Sequence, residues 1–355
     1  MGGERDSEEV SGLGGMMKGE SKGHGTWKSI KTIVWVGVWL FLLGRTGDCG
    51  ELMPVAYRLK WLFNTSVVGD LYADVYGAFA RQGIKVVVKE GGPERDAIKE
   101  IELGYAQFGV ASADQVIRAV AKGSPIVVIA QLFQVNPLQW VYRTDKLSFD
   151  SPAAIMSFFR GKTLGLTYGG NDETIMRTFL TKFGISEASV NVYSVRYDYT
   201  PFYEGKVDLW PVYVNAQGII IQDKLEKAKE RVSFLDPDEF GVRFVANSVV
   251  TSQKMFSEQP DIVNKFRKGL IEGWQDAVAP ENNEKAVSVL QRFDKDTPVE
   301  IIRRQLAATR GLIKPWPESA VGSIDIPAWK ETEQIMLDQK LISVPIHLDK
   351  VLKPF

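Results

Sequence analysis

A glycine pair followed by three polar residues is the local pattern in this chain that best suits ligand binding. Gly169 and Gly170 separate a predicted strand from a predicted helix, and the helix opens with Asn171, Asp172 and Glu173. Glycine tolerates positive φ and lets a ligand approach the backbone, and free N–H groups at a helix start can bind ligand oxygens. An ordinary turn, with Asn171 or Asp172 as the helix cap, would show the same spacing, so the residues alone leave both interpretations open. The lysine of a phosphate-binding loop is missing from this turn.

Aromatic residues are concentrated in the segment that follows this turn. Their rings offer flat surfaces on which a planar ligand can stack, with a contribution on the order of 1 kcal/mol per ring beyond the area buried. Trp210 and Tyr213 end a predicted strand and are candidate ligand contacts, as is Tyr168 beside the glycine pair. Trp210 is expected to line a cleft rather than to support the core, although core packing would explain at least half of the cluster. The aromatic residues concerned are Tyr197, Tyr199, Phe202, Tyr203, Trp210 and Tyr213.

The elements that must position these residues alternate between strand and helix. From Gly104 to Pro137 the sequence predicts a buried strand (Ala106–Ala111), a helix with Ser112 as its N-cap, and a second buried strand (Ile126–Ala130). Strand ends in an open α/β sheet share one edge, and ligands bind at that edge. The residues expected there from the first half of the chain are Trp61, Asn64, Ser112 and Gln134.

The whole pattern predicts an α/β protein with two lobes. Each lobe would hold a mostly parallel sheet flanked by helices, and two crossings near Tyr142 and Arg243 would form a hinge. In this arrangement Trp61 would face Trp210 and Tyr213 across a cleft between the lobes. The expected division is 50–141 for the first part of lobe 1, 142–243 for lobe 2, and 244–355 for a mostly helical return to lobe 1.

Composition argues against several classes of site. Of the 355 residues, 43 are Lys or Arg and 44 are Asp or Glu, and the net charge of −1 gives no reason to expect a nucleic-acid partner. The single cysteine, Cys49, and the two histidines, His24 and His347, exclude a Cys/His zinc site and an intramolecular disulfide, and they argue against a Ser-His-Asp triad. The carboxylates at 172–173 and 236–238 lack the partners of glycosidase or metal chemistry. We therefore expect no metal and no cofactor.

The N-terminal segment, residues 1–49, is predicted to be a disordered tail plus a signal peptide. Residues 1–29 are polar and glycine-rich, and the run Thr32–Leu43 carries no charge and follows two lysines. This run is shorter than the roughly 20 residues of a membrane-spanning helix and matches the apolar region of a secretory signal. Cleavage is expected near Gly47–Gly50, with a lipid anchor on Cys49 as the alternative. The mature protein is therefore expected in the periplasm or another extracytoplasmic location.

Five short motifs of the sequence resemble those of one family of bacterial binding proteins. They are FGVASAD (Phe108–Asp114), AKGSPIVVIA (Ala121–Ala130), GGPERD (Gly91–Asp96), TYGGNDE (Thr167–Glu173) and YEGKVDLWPVYVN (Tyr203–Asn215). Together they resemble the thiamine-pyrimidine, sulfonate and nitrate branch of the solute-binding proteins of ABC importers, over about Leu59–Lys268. The resemblance implies a type II periplasmic-binding-protein fold, capture of a small molecule in the interlobe cleft, an ABC permease as partner, and a monomer.

The same resemblance implies a ligand class. A flat heterocycle similar to a pyrimidine precursor of thiamine is the expected ligand, with a sulfonate, nitrate or riboflavin-like molecule as alternatives. The pyrimidine synthases of this wider family use a cysteine-rich stretch and a histidine for iron-dependent chemistry. Here the one cysteine precedes the domain and no histidine lies between Gly25 and Ile346, so a binding protein is predicted rather than an enzyme. A sensory role for the same pair of lobes is a third interpretation.

The residues around the expected cleft favour an uncharged or weakly cationic ligand. Asp172 and Glu173 occupy the positive end of a helix dipole and would repel an anion. Arg196 is the nearest basic candidate along the chain, Arg95 is expected on a helix surface, and Asn215 lies near the place where relatives often have a carboxylate. The expected polar contacts are neutral: Asn64, Ser112, Gln134, Asn171 and Asn215.

Overall fold

The computed structural model describes residues 53–92, 94–144 and 151–354, and the expected signal segment lies outside these ranges. The strands are β1 (Met53–Arg58), β2 (Ile84–Lys89), β3 (Phe108–Ala111), β4 (Ile126–Gln131), β5 (Leu138–Arg143), β6 (Thr163–Leu166), β7 (Asn191–Ser194), β8 (Leu209–Tyr213), β9 (Val232–Leu235) and β10 (Ser248–Ser252). The helices are α1 (Val68–Val75), α2 (Ala78–Arg81), α3 (Ala97–Glu102), α4 (Ala113–Ala121), α5 (Pro152–Phe159), α6 (Asn171–Lys182), α7 (Thr200–Tyr203), α8 (Gln217–Lys227), α9 (Gln253–Glu258), α10 (Pro260–Val278), α11 (Asn283–Phe293), α12 (Val299–Ile313), α13 (Ile326–Asp338) and α14 (Leu348–Val351). Among these helices, none is both long enough and apolar enough to cross a membrane.

The first sheet, which with its helices forms lobe 1, has the strand order β2-β1-β3-β10-β4. β1 pairs in parallel with β2 and β3, whereas β10 runs antiparallel to β3 and β4. Every residue of β3 and β4 is buried, as expected for apolar strands inside an α/β sheet. The chain leaves this sheet after β4 and returns to it at β10.

The second sheet, which with its helices forms lobe 2, has the strand order β7-β6-β8-β5-β9. β6 pairs in parallel with β7 and β8, whereas β5 runs antiparallel to β8 and β9. The predicted fold class, two α/β lobes with a mostly parallel sheet in each, is therefore confirmed. The chain enters lobe 2 before Leu138, because all of β5 pairs within this sheet; the expected boundary lies a few residues later, between 141 and 142.

The first helical region differs from its sequence pattern. The spacing of Leu71, Val75 and Phe79 predicts one helix over 68–82. The structure has two helices there, because Gly77 between α1 and α2 adopts φ +74, a backbone conformation that glycine reaches without strain. The spacing still buries the same face, since Leu71 and Phe79 both lie in the core.

Helices α1 and α10 pack closely through small residues. A Cβ atom on Gly69 would lie 2.0 Å from the ring of Trp274, and one on Gly273 would lie 2.3 Å from the Cβ and 2.7 Å from the Cα of Ala73. Trp274 is completely buried. Because Ala73 meets Gly273 through its backbone, relief by side-chain rotation is not available at that contact. These two glycines therefore allow the close approach of the helices.

Replacement of Gly273 by alanine is expected to destabilise the protein by about 1–3 kcal/mol, the usual cost of overpacking a core. Replacement of a glycine inside a helix by alanine normally raises the free energy of unfolding by about 0.5–1 kcal/mol. Gly311 in α12 is the matched control, because its added Cβ would meet nothing within 4 Å. Urea unfolding followed by circular dichroism compares Gly273→Ala with Gly311→Ala. Equal stabilisation of the two variants would contradict the close packing of α1 on α10.

Candidate functional site

A cavity of about 360 Å³ lies between the two lobes. Lobe 1 lines it with the residues that follow β1, the loop before α3 and the end of β3, and lobe 2 lines it with the turn before α6 and with β8. This volume falls in the range of small-molecule sites. Nine of the twelve site residues predicted from the sequence lie on its wall: Trp61, Asn64, Tyr168, Gly169, Gly170, Asn171, Asp172, Trp210 and Tyr213.

The glycine turn before α6 is held together by its own carboxylates. Gly169 adopts φ +76, and Gly170 leaves room for Asp172, whose Oδ1 would lie 2.3 Å from an added Cβ. Asp172 Oδ2 accepts a hydrogen bond from the Thr167 N–H at 2.6 Å, and Glu173 Oε2 accepts one from the Gly169 N–H at 2.8 Å. Burial raises the pKa of Asp172 to about 6, although the bond from Thr167 opposes the shift. The turn thus lines the cavity while two of its N–H groups are already satisfied.

Lys60 reaches the cavity from lobe 1 and is not among the residues predicted from the sequence. Its ammonium group donates to Asn171 Oδ1 at 2.8 Å and to the Tyr213 hydroxyl at 3.2 Å, so it connects lobe 1 to two elements of lobe 2. Its position directly before Trp61, at the end of the first strand, is the sequence signal that could have identified it. Lys60 therefore adds a cation to a cavity wall for which the sequence predicts neutral polar contacts.

Trp210 borders the cavity but is buried in the core of lobe 2. Only 1% of its surface is exposed, and its ring centroid lies 5.9 Å from that of Tyr199 and 6.4 Å from that of Phe202. It occupies β8, where it pairs with Val141 of the neighbouring strand. The expectation that Trp210 lines the cleft without supporting the core is corrected on this point, because a central strand side chain packs on its own lobe.

Tyr213 connects groups from both lobes inside the cavity. Its hydroxyl accepts a hydrogen bond from Lys60 and donates one to Asn247 Oδ1 at 3.0 Å. Asn247 comes directly before β10, where the chain has returned to lobe 1. The Tyr213 ring is half-buried and therefore presents part of its surface to the cavity.

The mouth of the cavity is bridged by a ring contact and an ion pair. The ring of Trp61 in lobe 1 lies 5.5 Å from that of Tyr197 in lobe 2, at an interplanar angle of 41°. Arg196 of lobe 2 pairs with Glu94 in the loop before α3. The sequence predicts Arg95 on a helix surface, but it lies in the same loop, before α3 begins, and it lines the cavity.

Three of the predicted contacts, Ser112, Asn215 and Gln134, do not line the cavity. Each is placed by a helix cap or a hydrogen bond outside the cavity wall. Ser112 is buried as the N-cap of α4. Asn215 is completely buried and donates to the Thr309 hydroxyl at 2.9 Å. Gln134 donates to the Ser323 carbonyl at 3.0 Å, on a different part of lobe 1.

The cavity wall combines hydrogen-bonding, charged and aromatic groups. In the part of the chain that the structure describes, no group of three or more His, Cys, Asp or Glu side chains could hold a metal ion. The described lining contains amides, hydroxyls, cations, carboxylates and aromatic rings, and neither cysteine nor histidine.

Comparison with known proteins gives a family match over most of the two lobes. A family model described as NMT1/THI5 like matches residues 64–283, which is more than half of the chain. The riboflavin-binding protein RibY of Chloroflexus aurantiacus is 22% identical over 318 residues, which cover 84% of this chain and 84% of that protein.

Solved structures share the fold. The alkanesulfonate-binding protein SsuA of Xanthomonas axonopodis pv. citri, bound to MOPS, matches with a TM-score of 0.63 at 14% identity and covers 85% of this chain and 99% of its own. The desulfurization enzyme DSZB matches with a TM-score of 0.57 at 12% identity and covers 85% of this chain and 96% of its own. At such identities the likeness establishes the fold alone.

Proposed function

We propose that this chain, which belongs to the NMT1/THI5-like family, is the extracytoplasmic solute-binding component of an ABC importer. The observation that carries the proposal is the cavity of about 360 Å³ between the two lobes. Inside it, Lys60 of lobe 1 forms hydrogen bonds with Asn171 and Tyr213 of lobe 2. Two lobes joined by two crossings can close around a ligand by hinge motion. An ABC permease is the proposed partner, a monomer the proposed state, and export through the segment 1–49 the proposed route.

The proposed ligand is a small flat heterocycle. The half-buried rings of Trp61, Tyr199 and Tyr213 border the cavity and offer stacking surfaces. The cavity holds the volume of about a dozen waters at ~30 Å³ each, so a nitrate ion would leave most of it to solvent. The riboflavin-binding relative supports a heterocycle. A sulfonate is the alternative, since the matched SsuA structure is an alkanesulfonate-binding protein.

A binding role is preferred to an enzyme related to the pyrimidine synthases. The described cavity wall offers no cysteine or histidine for such chemistry. The fold does not decide the matter, because the matched structure DSZB is an enzyme. Mass spectrometry of each bound compound after incubation with the protein distinguishes the two roles: a binding protein returns the compound unchanged, and an enzyme converts it.

Isothermal titration calorimetry against a panel of compounds tests the proposal. We expect one heterocycle at least to bind with one-to-one stoichiometry and micromolar or tighter affinity. Binding of a simple anion alone would contradict the ligand class, and the absence of binding to every compound would contradict the proposed function. The panel comprises hydroxymethylpyrimidine, formylaminopyrimidine, thiamine, riboflavin, taurine, an aliphatic sulfonate and nitrate.

Replacement of Tyr213 by alanine is expected to weaken binding of the compound so identified by about tenfold or more. The change removes a stacking surface, worth on the order of 1 kcal/mol, and the hydroxyl that joins Lys60 to Asn247, worth about 0.5–1.5 kcal/mol. Tyr213→Phe keeps the ring and should lose less affinity. Tyr193→Ala, an exposed tyrosine outside the cavity wall, is the control. Unchanged affinity in a folded Tyr213→Ala protein would place the ligand elsewhere.

A further inference from the structure

Lys60 is held in the cavity by neutral groups. Its Nζ atom donates to the amide oxygen of Asn171 and to the hydroxyl of Tyr213, and it lies 5.8 Å from the centre of the Tyr213 ring. No carboxylate of the described residues lies within ion-pair distance of this ammonium group, although Asp172 is near enough for the charge of Lys60 to lower its pKa. A partly buried cation with only neutral partners keeps most of its capacity to attract an anion, because no opposite charge neutralises it at contact distance.

Asn171 offers an unused donor beside this cation. Its Oδ1 accepts from Lys60, which fixes the orientation of the amide, since the opposite orientation would bring two donors together. The Nδ2 atom then has no hydrogen-bond partner among the described residues, although the side chain is only 6% exposed. A buried donor without a partner destabilises the protein that lacks a ligand. An acceptor on a bound ligand would remove that destabilisation.

The carboxylates near the cavity are occupied. Asp172 accepts from the Thr167 N–H, and Asp96 accepts from two N–H groups at the start of α3. Glu94 pairs with Arg196 at the mouth. These carboxylates therefore already have partners, whereas the Asn171 Nδ2 atom has none and the Lys60 ammonium group has neutral ones.

We propose that Lys60 Nζ and the Asn171 amide form a recognition pair for an anionic oxygen group on the ligand, a carboxylate, phosphate or sulfonate. The inference rests on the proposed function and deepens it, since it makes the ligand a flat ring that carries an acidic group. The inference makes the ligand anionic, whereas the sequence favours an uncharged or weakly cationic ligand because it does not identify Lys60 as a cleft residue. Asp172 and Glu173 accept hydrogen bonds from N–H groups of their own turn, so the ammonium group of Lys60 and the free N–H of Asn171 remain available to the ligand.

Matched pairs of neutral and acidic compounds test the proposal by calorimetry with the purified full chain. The pairs are riboflavin and riboflavin 5′-phosphate, hydroxymethylpyrimidine and its monophosphate, nicotinamide and nicotinate, and uracil and uracil-6-carboxylate, with ethanesulfonate as an anion without a ring. In at least one pair the acidic member is expected to bind the wild-type protein at least tenfold more tightly than the neutral member.

Three variants assign that preference to the recognition pair. Lys60→Met is expected to remove the difference between the two members, and Lys60→Arg to retain most of it. Asn171→Asp, which preserves the shape but replaces the free donor by a charge, is expected to weaken the acidic member at least tenfold. Lys182→Met is the control, since Lys182 is an exposed residue of the same helix α6 that donates to the Gly241 carbonyl away from the cavity.

Each outcome decides a different point. Equal or tighter binding of the neutral members would overturn the anion inference and leave the proposed function intact. A preference for the acidic member that persists in folded Lys60→Met would overturn the assignment to Lys60. If Lys60→Met fails to fold, Lys60→Arg and Asn171→Asp decide the assignment by the same measurement. Binding of a panel compound outside the pairs, with no member of any pair bound, would overturn the inference and leave the proposed function intact. If neither the pairs nor the panel contain a compound that binds the wild-type protein, the proposed function fails together with the inference.

Discussion

Replacement of Trp210 by alanine is expected to lower the free energy of unfolding by about 3–5 kcal/mol, the range measured for large aromatic side chains removed from protein cores. Trp210 is 1% exposed and sits among the buried side chains of lobe 2, including Phe202 and Val141. Its removal leaves a void between β8 and α7 that the surrounding strands fill only in part. Urea unfolding followed by circular dichroism measures the loss.

Tyr168→Ala is the matched control, because Tyr168 lines the same cavity with 57% of its surface exposed. Its stability should stay close to that of the wild-type protein, since an exposed side chain contributes little packing. If Trp210→Ala unfolds at the same urea concentration as Tyr168→Ala, Trp210 is a cleft residue after all. The comparison also shows whether a loss of ligand affinity in a Trp210 variant reflects a lost ligand contact or a destabilised lobe.

The protein is expected to lose stability as the pH rises from about 4 to about 7, because of the carboxyl group of Asp70. This side chain of α1 is completely buried and accepts a hydrogen bond from the Tyr57 hydroxyl at 2.7 Å. Burial raises the pKa of Asp70 from its ordinary value of 3.8 to about 7, against the lowering effect of that hydrogen bond. The folded state therefore keeps a proton that the unfolded chain releases, and stability falls as pH rises between the two values.

Asp70→Asn isolates this effect, because an amide of the same shape stays neutral at every pH. Relative to the wild-type protein, the variant should gain up to roughly 4 kcal/mol between pH 4 and pH 7, from a shift of roughly three pKa units at 1.36 kcal/mol each. Asp172, whose pKa is also raised, is present in both proteins and cancels in the comparison. Urea unfolding at pH 4, 5.5, 7 and 8 measures it. A difference between the two proteins that does not change with pH would show that Asp70 ionises normally.

The order of strands and helices is predictable from the sequence, because it depends on local periodicity and on turn residues. The predicted strands Ala106–Ala111 and Ile126–Ala130 correspond to β3 and β4, and the helix capped by Ser112 corresponds to α4. The helix after Gly170 begins at Asn171, as expected. The chain path between the sheets is less predictable at β5, where residues from Leu138 onward pair with β8 of the second sheet. A single apolar strand carries no local signal of which sheet it joins.

The cavity wall is predictable where topology alone decides it. The turn at Gly169 and Gly170 follows a strand of the sheet and so reaches the ligand edge. Lys60 is not predictable in the same way, because the direction of a long side chain after a strand depends on partners from the other lobe, here Asn171 and Tyr213.

The misplaced residues have a common cause. Ser112, Gln134 and Asn215 also lie next to elements at the expected edge. Their side chains, however, form hydrogen bonds with Asp114, Ser323 and Thr309 of the protein and do not face the cavity. Buried polar side chains take the hydrogen-bond partners that packing offers. The partners of Gln134 and Asn215 come from segments far along the chain, such as α12 for Asn215, and no pattern near either residue identifies them. Ser112 differs, because its partners belong to the helix that it caps.

A crystal structure of the protein with the tightest-binding compound of the calorimetry panel tests the central claim most directly. The account predicts the compound between the two lobes, with its ring against Tyr213 or Trp61 and an oxygen group within hydrogen-bond distance of Lys60 Nζ and Asn171 Nδ2. A compound bound outside the cavity, or contacting one lobe alone, would contradict it.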